Sequence, residues 1–230
     1  MMALLAELTS PEIGLHATTS VLAIPIGSTE QHGPHLPMST DTDIAAALCE
    51  RLRSARDDVL VAPALPYGSS GEHAGFPGTL SIGQTALELL IVELCRSAFD
   101  TFDRVLLVSA HGGNNEPLTR AVRLLRSESR DVQLFCPRWA GDPHAGHQET
   151  SLMLTLKPEL VHMDRAVLGD PRPLPEIMPL LRSGGVRAVT ETGVLGDPTA
   201  AGAEAGRRLL ETLTAALLDS VSAWLEPAMP

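Results

Sequence analysis

RVLLVSAHGGNNEP, residues 104–117, is the stretch whose reading decides the fold. The segment RVLLVS is apolar without alternation. That is the pattern of a strand buried on both faces, as in a parallel sheet covered by helices. It ends in AHGGNNEP, a run of turn formers. A helical pattern follows near residues 118–127, with Asn114 or Asn115 as its cap. Strand, polar turn and helix together make half of a crossover unit.

The same unit recurs on either side. Residues 21–25 (VLAIP) read as a strand, followed by a polar, Gly/Pro-rich segment over 27–40. A helix is expected over 43–53, with Ile44, Leu48 and Leu52 on one stripe and Thr42 or Asp43 near its cap. Residues 59–63 (VLVAP) are a second strand, 66–81 a long loop, and 84–99 a helix. Beyond the opening stretch, 132–136 is a strand, 137–147 a loop and 149–156 a helix. The Pro/Gly-rich region 169–185 is expected to be irregular, 188–192 a short edge strand, and 199–224 an amphipathic helix. Alternation of this kind implies an α/β fold: a single-domain three-layer αβα sandwich with a mainly parallel sheet, spanning residues 1–230. Sites in such folds gather beyond the carboxyl ends of the strands.

Composition excludes several function classes. Of 230 residues, 44% are hydrophobic, too many for a largely disordered chain, and only 3% are aromatic, so the core is aliphatic and offers no base-stacking platform. The formal net charge is −11, with no Lys/Arg cluster. This argues against nucleic acid and against an electrostatic membrane anchor. No apolar run approaches the roughly 18 residues of a membrane span. The N-terminal stretch has no basic start and no long apolar core, so no signal peptide is expected. Three widely spaced cysteines form neither a disulfide framework nor a zinc-thiolate motif, and Cys49 and Cys95 are expected to be buried thiols. A cytoplasmic protein is the resulting expectation.

Six of the eight histidines fall in the post-strand loops: His32, His35, His73, His111, His144 and His147. In the first loop Glu30 and His32 are two apart, so extended backbone points both to one side. Asp41 follows, either as a ligand or as a helix cap. His111 stands directly after a strand, before Gly112 and Gly113. Glu149 opens a helix, where a carboxylate also suits the helix dipole, and His144 and His147 precede it. Glu72 and His73 lie in a Gly/Pro-shaped loop that reads as a fixed turn or a lid. A set of two histidines and three carboxylates suits Zn²⁺, Mn²⁺ or Fe²⁺ and is too large for a four-coordinate structural zinc. It fits two metal ions sharing one carboxylate, the arrangement that hydrolyses amides. The chain has no GxSxG, HExxH, Walker A or GxGxxG sequence to support other mechanisms.

Four segments carry a resemblance: GSTEQHGPHLPMSTDTD (27–43), SSGEHAGFPGT (69–79), SAHGGNN (109–115) and DPHAGHQETS (142–151). In order and spacing they resemble the creatininase family of metal-dependent amidohydrolases. The resemblance implies two divalent metal ions (Zn²⁺, Fe²⁺ or Mn²⁺) per subunit and a homo-oligomer, often a hexamer. It implies Glu30, His32, Asp41, His111 and Glu149 as metal ligands, with Asp41 bridging. His144 takes the place of the family's proton-shuttling histidine, making His144 and Glu149 the catalytic residues. Creatinine-hydrolysing members carry a Tyr-Glu pair where this chain has Gly112 and Gly113, and use tryptophans where only Trp139 is near. Residues 182–208, RSGGVRAVTETGVLGDPTAAGAEAGRR, and the sequence YGSSGEH resemble the branch of the family from mycofactocin systems. That branch implies a modified ribosomal precursor peptide as substrate, cut before its crosslinked C-terminal Val-Tyr pair. Glu72, His73, Trp139 and His147 would then contact the substrate. A small cyclic amide or a formamide is the alternative.

Overall fold

The computed structural model describes residues 4–226; the first three and last four residues of the chain lie outside it. Four parallel strands form one sheet in the order β2-β1-β3-β4: β1 (Val21–Ile26), β2 (Val59–Val61), β3 (Arg104–Ser109) and β4 (Asp131–Phe135). The helices are α1 (Ser10–Gly14), α2 (Thr40–Ala55), α3 (Gln84–Ala98), α4 (Asn115–Ser127), α5 (His147–Leu156), α6 (Leu174–Gly184) and α7 (Ala203–Leu225).

Side chains alternate across the sheet, which produces two cores. Val21, Ala23, Val59, Val61, Leu106 and Val108 pack with α2, α5 and α7 on one face. Leu22, Ile24, Ile26, Leu60, Val105, Leu107 and Val132 pack with α3 and α4 on the other. This is the three-layer αβα arrangement. Continuous apolar strands are explained by it, since both faces of β1 and β3 are dry. Cys49 and Cys95 are buried within the two cores as free thiols. Among the described residues no helix is long and apolar enough to cross a membrane.

From β1 the chain passes to β2 on one side of the sheet and then crosses to β3 on the other. The loops after β1 and β3 therefore diverge around a crevice, as expected at a topological switch point. Pro25 lies within β1 although it has no N–H to give. β2 stops at Val61 beside it, and pairing resumes only at Leu65, which donates to the Pro25 carbonyl and accepts from Gly27 N. A proline is tolerated in an inner strand at such an interruption.

Three expectations are corrected. Residues 174–184, expected to be irregular, form α6; its prolines hide a stripe in which Ile177 and Leu181 pack with Val186 and Leu195. Two of those prolines cost little, one flanking the helix and one within its first turn. Residues 188–192 form no strand. Val186–Ala188 is a 3₁₀ turn, and the Thr190 and Thr192 hydroxyls pair at 3.0 Å, satisfying polar groups locally. The N-cap of α2 is Ser39 rather than Thr42 or Asp43, and Ser39 Oγ donates to Asp43 at 2.8 Å.

Candidate metal centre

The loop after β1 brings Glu30 and His32 into the crevice, α2 opens with Asp41, the loop after β3 supplies His111, and α5 supplies Glu149. All five are buried, with His32 and Glu30 fully so. Asp41 lies at the centre. Its Oδ1 is 3.4 Å from His32 Nε2 and its Oδ2 is 3.3 Å from His111 Nδ1. Glu30 Oε2 is 3.2 Å from His111 Nε2, and Glu149 Oε2 is 3.9 Å from His32 Nε2. Two groups of ligand atoms, Glu30-Asp41-His111 on one side and His32-His144-Glu149 on the other, each lie within 4.8 Å.

The groups around these residues orient them. Ser28 Oγ donates to Asp41 Oδ2 at 2.6 Å, and Ala145 N donates to Glu149 Oε2 at 2.6 Å. Asn114 stands at the N-cap of α4, but its side chain does other duty. Its Oδ1 accepts from Ser69 N at 2.8 Å and its Nδ2 donates to the Gly27 carbonyl at 2.9 Å. One amide thus ties the loops after β1, β2 and β3 together.

Each of three histidines turns one ring nitrogen onto a backbone carbonyl. His32 Nδ1 is 3.2 Å from the Glu30 carbonyl, His111 Nε2 is 2.9 Å from the Ser69 carbonyl, and His144 Nε2 is 2.9 Å from the Gln31 carbonyl. A carbonyl only accepts, so each of these nitrogens carries the proton. The other nitrogen is then free to face the cluster. A carbonyl behind the ring is the usual support of a metal-binding histidine.

Electrostatics point the same way. Burial would push His32 down, but the carboxylates of Asp41, Glu149 and Glu30 outweigh it and push it up to about 10. Burial would raise the Asp41 carboxyl, yet His32 and His111 hold it well below the usual range. Burial pushes Glu149 up to about 7. His144 is held well below the ordinary histidine value by burial and by His32 and His73, so it is neutral near pH 7. The cluster attracts positive charge, and a divalent cation competes with protons for such donors. Both carboxylate oxygens of Glu30 and the Nε2 of His32 are buried without a hydrogen-bond partner. Orphaned acceptors among three carboxylates fit a cation.

The 3₁₀ turn Gly71–His73 brings Glu72 and His73 to the same place. His73 Nε2 is 3.3 Å from Glu30 Oε1, and Glu72 Oε1 is 3.7 Å from His111 Nε2. Glu72 fills the space beside Gly113: a Cβ there would meet Glu72 Oε1 and the Ser69 carbonyl at 2.3 Å. Trp139 and His147 line a separate cavity of about 360 Å³ with Arg138, Gln148 and Leu209, and none of the five clustered residues lines it. His35 is fully buried behind the centre, its Nε2 2.8 Å from Thr150 Oγ1. Two residues escape sequence reasoning. Ser28 and Gln31 look like ordinary loop polar residues, and only their position beside Glu30 hints at a role.

A family model described as creatinine amidohydrolase matches residues 6–221. The chain is 49% identical over 222 residues to the mycofactocin precursor peptide peptidase of Mycolicibacterium smegmatis, covering 94% of this chain and 90% of the relative. It is 30% identical over 243 residues to the creatinine amidohydrolase of Pseudomonas putida, covering 91% and 92%. Among solved structures, a manganese creatininase superposes with a TM-score of 0.85 at 27% identity, covering 99% of this chain and all of that one. A mutant creatininase of Zn-Zn type superposes with a TM-score of 0.84 at 28% identity, covering 97% and 98%.

Proposed function

The chain belongs to the creatininase family and is a metal-dependent amide hydrolase; from that premise we propose that it is a peptidase acting on the modified mycofactocin precursor peptide. The cut falls before the crosslinked C-terminal Val-Tyr pair and releases the precursor of a small redox cofactor. The observation that carries this reading is the 49% identity over about nine tenths of both chains to a peptidase of that name, against 30% to a creatinine amidohydrolase. The glycines at 112 and 113 agree with it, because they leave the centre without the Tyr-Glu pair expected of a creatinine site.

Glu30, Asp41 and His111 would hold one divalent ion, and His32, Asp41 and Glu149 a second, with Asp41 shared. When bound, such ions supply a nucleophile at neutral pH and polarise the amide carbonyl. His144 does the proton work. Its Nε2 is committed to the Gln31 carbonyl, so the bare Nδ1 faces the centre, 4.0 Å from Glu30 Oε1. Neutral near pH 7, it takes a proton as water attacks and returns it to the leaving amine nitrogen. Glu149, anchored by Ala145 N, keeps its carboxylate aimed at the attacking side. Glu72 and His73 meet the peptide beside its scissile bond, and the cavity of Trp139 and His147 takes up a more distant part of it. The metal is zinc, iron or manganese. The protein is cytoplasmic and a homo-oligomer, hexameric or similar, whose mass light scattering measures directly.

The decisive experiment incubates metal-reconstituted protein with the crosslinked precursor peptide and reads the products by mass spectrometry. Release of the C-terminal dipeptide product, lost on chelation and restored by metal, is the expected result. Metal-loaded protein that leaves the peptide intact sinks the peptide assignment and turns attention to small cyclic amides and formamides.

A further inference from the structure

His73 is the histidine of the cluster that does not have a carbonyl behind its ring. Behind it stands the side-chain amide of Gln31, whose Nε2 is 2.8 Å from His73 Nδ1. The orientation of that amide is fixed by the main chain. Gln31 Oε1 accepts from Gly33 N at 2.9 Å, and Gln31 Nε2 donates to the Gly193 carbonyl at 3.2 Å. A backbone N–H only donates and a carbonyl only accepts, so oxygen and nitrogen cannot be exchanged. Gly193 is required for this packing: its φ is +83°, and a Cβ would meet Gln31 Oε1 at 1.8 Å.

An amide NH₂ has two hydrogens and no available lone pair. One hydrogen goes to Gly193. The other points at His73 Nδ1, which must therefore be the bare nitrogen. The contact of Gln31 Nε2 with His144 Nε2, 3.1 Å, takes no hydrogen, because that nitrogen gives its own proton to the Gln31 carbonyl. The His73 proton is then on Nε2, 3.3 Å from Glu30 Oε1. A protonated ring nitrogen donates; it does not ligate.

This bears on a third group of ligand atoms, Glu30-His73-His144, which also lies within 4.8 Å and is buried. By residue type it would hold a metal as well as the other two groups. We infer that Gln31 is a positioning residue that sets the proton positions of two histidines, through its side chain at His73 and its carbonyl at His144, and so keeps the Glu30-His73-His144 group from binding a metal. His73 instead turns its protonated Nε2 toward the Glu30 carboxylate, 3.3 Å from Oε1. The inference rests on the metal-hydrolase reading of the site but not on the identity of the substrate.

The test is long-range ¹H–¹⁵N correlation of the imidazoles in the zinc-reconstituted full chain, with the His73 signals assigned by their loss in His73→Gln. Expected is a protonated Nε2 and a bare Nδ1 on His73. A proton on Nδ1, or a zinc-shifted Nε2, overturns the inference. Gln31→Glu supplies the converse. A carboxylate there accepts, moves the His73 proton to Nδ1 and frees Nε2. Metal analysis should then find one more zinc per subunit than in the wild type. A folded Gln31→Glu protein with an unchanged zinc content and a bare Nδ1 also overturns it. Should that variant not fold, the wild-type spectrum decides alone. A protein with the expected spectrum that cleaves no precursor peptide keeps the inference and sinks only the substrate assignment.

Discussion

The Glu72 carboxylate occupies the space that a side chain at Gly113 would fill: a Cβ at 113 would lie 2.3 Å from Glu72 Oε1. The two loops that carry these residues are thus fitted to each other, and the carboxylate beside His111 comes from the loop after β2 rather than from position 113, two residues beyond the histidine. Gly113→Ala should displace Glu72 and press on the rigid Ser69 carbonyl, costing about 1–3 kcal/mol of stability. Thermal melting and turnover should fall together. A variant with wild-type melting and turnover would show that the fit is loose.

Asp41 is the shared group, so its support matters. Ser28→Ala removes the 2.6 Å hydrogen bond to Asp41 Oδ2. Loss of such a supporting bond weakens metal affinity or activity by about 10–100-fold. Competition with a chromogenic chelator measures it. Asp41→Asn, His111→Ala or Glu149→Ala should abolish metal retention and turnover together. A fully active protein with any of these three changes would exclude that residue from the centre.

His144 should separate chemistry from metal binding. His144→Asn is expected to keep the metal content while kcat falls by about 10²–10⁴-fold, the usual worth of a proton-transfer group. Parallel loss of metal would instead make His144 a ligand.

Acid stability should report His35. Burial, then the charge of His32, pushes His35 down to about 4, whereas an unfolded histidine titrates near 6.5. The unfolded chain therefore binds protons that the fold refuses. The stabilisation is complete above about pH 6.5 and is lost as pH falls toward about 4, at up to about 1.4 kcal/mol per unit. His73, pushed down to about 4 chiefly by burial, has the same sign. Glu149, raised to about 7 by burial, has the opposite sign above its unfolded value. The diagnostic is consequently the difference between wild type and His35→Gln in urea unfolding from about pH 7 to about pH 5. The variant should lose less stability on acidification. Equal losses would remove His35 from this role.

Much of this was legible because strands buried on both faces have an unmistakable composition. RVLLVS coincides with β3 residue for residue, while 59–63 and 132–136 overrun the ends of β2 and β4. The histidines and carboxylates were readable because polar residues of those types rarely crowd into post-strand loops without a task. What could not be read depends on contacts between distant loops. Asn114 does stand at the cap of α4, but nothing local shows that its side chain spans Gly27 and Ser69. Gln31 differs from a solvated loop glutamine through His73, His144 and Gly193, the last of them 162 positions away. The helix at 174–184 was hidden by prolines, whose effect on a helix depends on which turn they occupy.

The interruption of strand pairing at Pro25 has a mechanical meaning. A missing donor is a covalent fact, indifferent to temperature, pH or whatever fills the crevice. At that rung the segment after β2 finds an acceptor but no donor, so the ladder breaks after Val61 and is taken up again only by Leu65. The place where the chain leaves β2 is therefore written into the backbone itself, and the loop that carries Glu72 and His73 departs from a fixed point of the sheet.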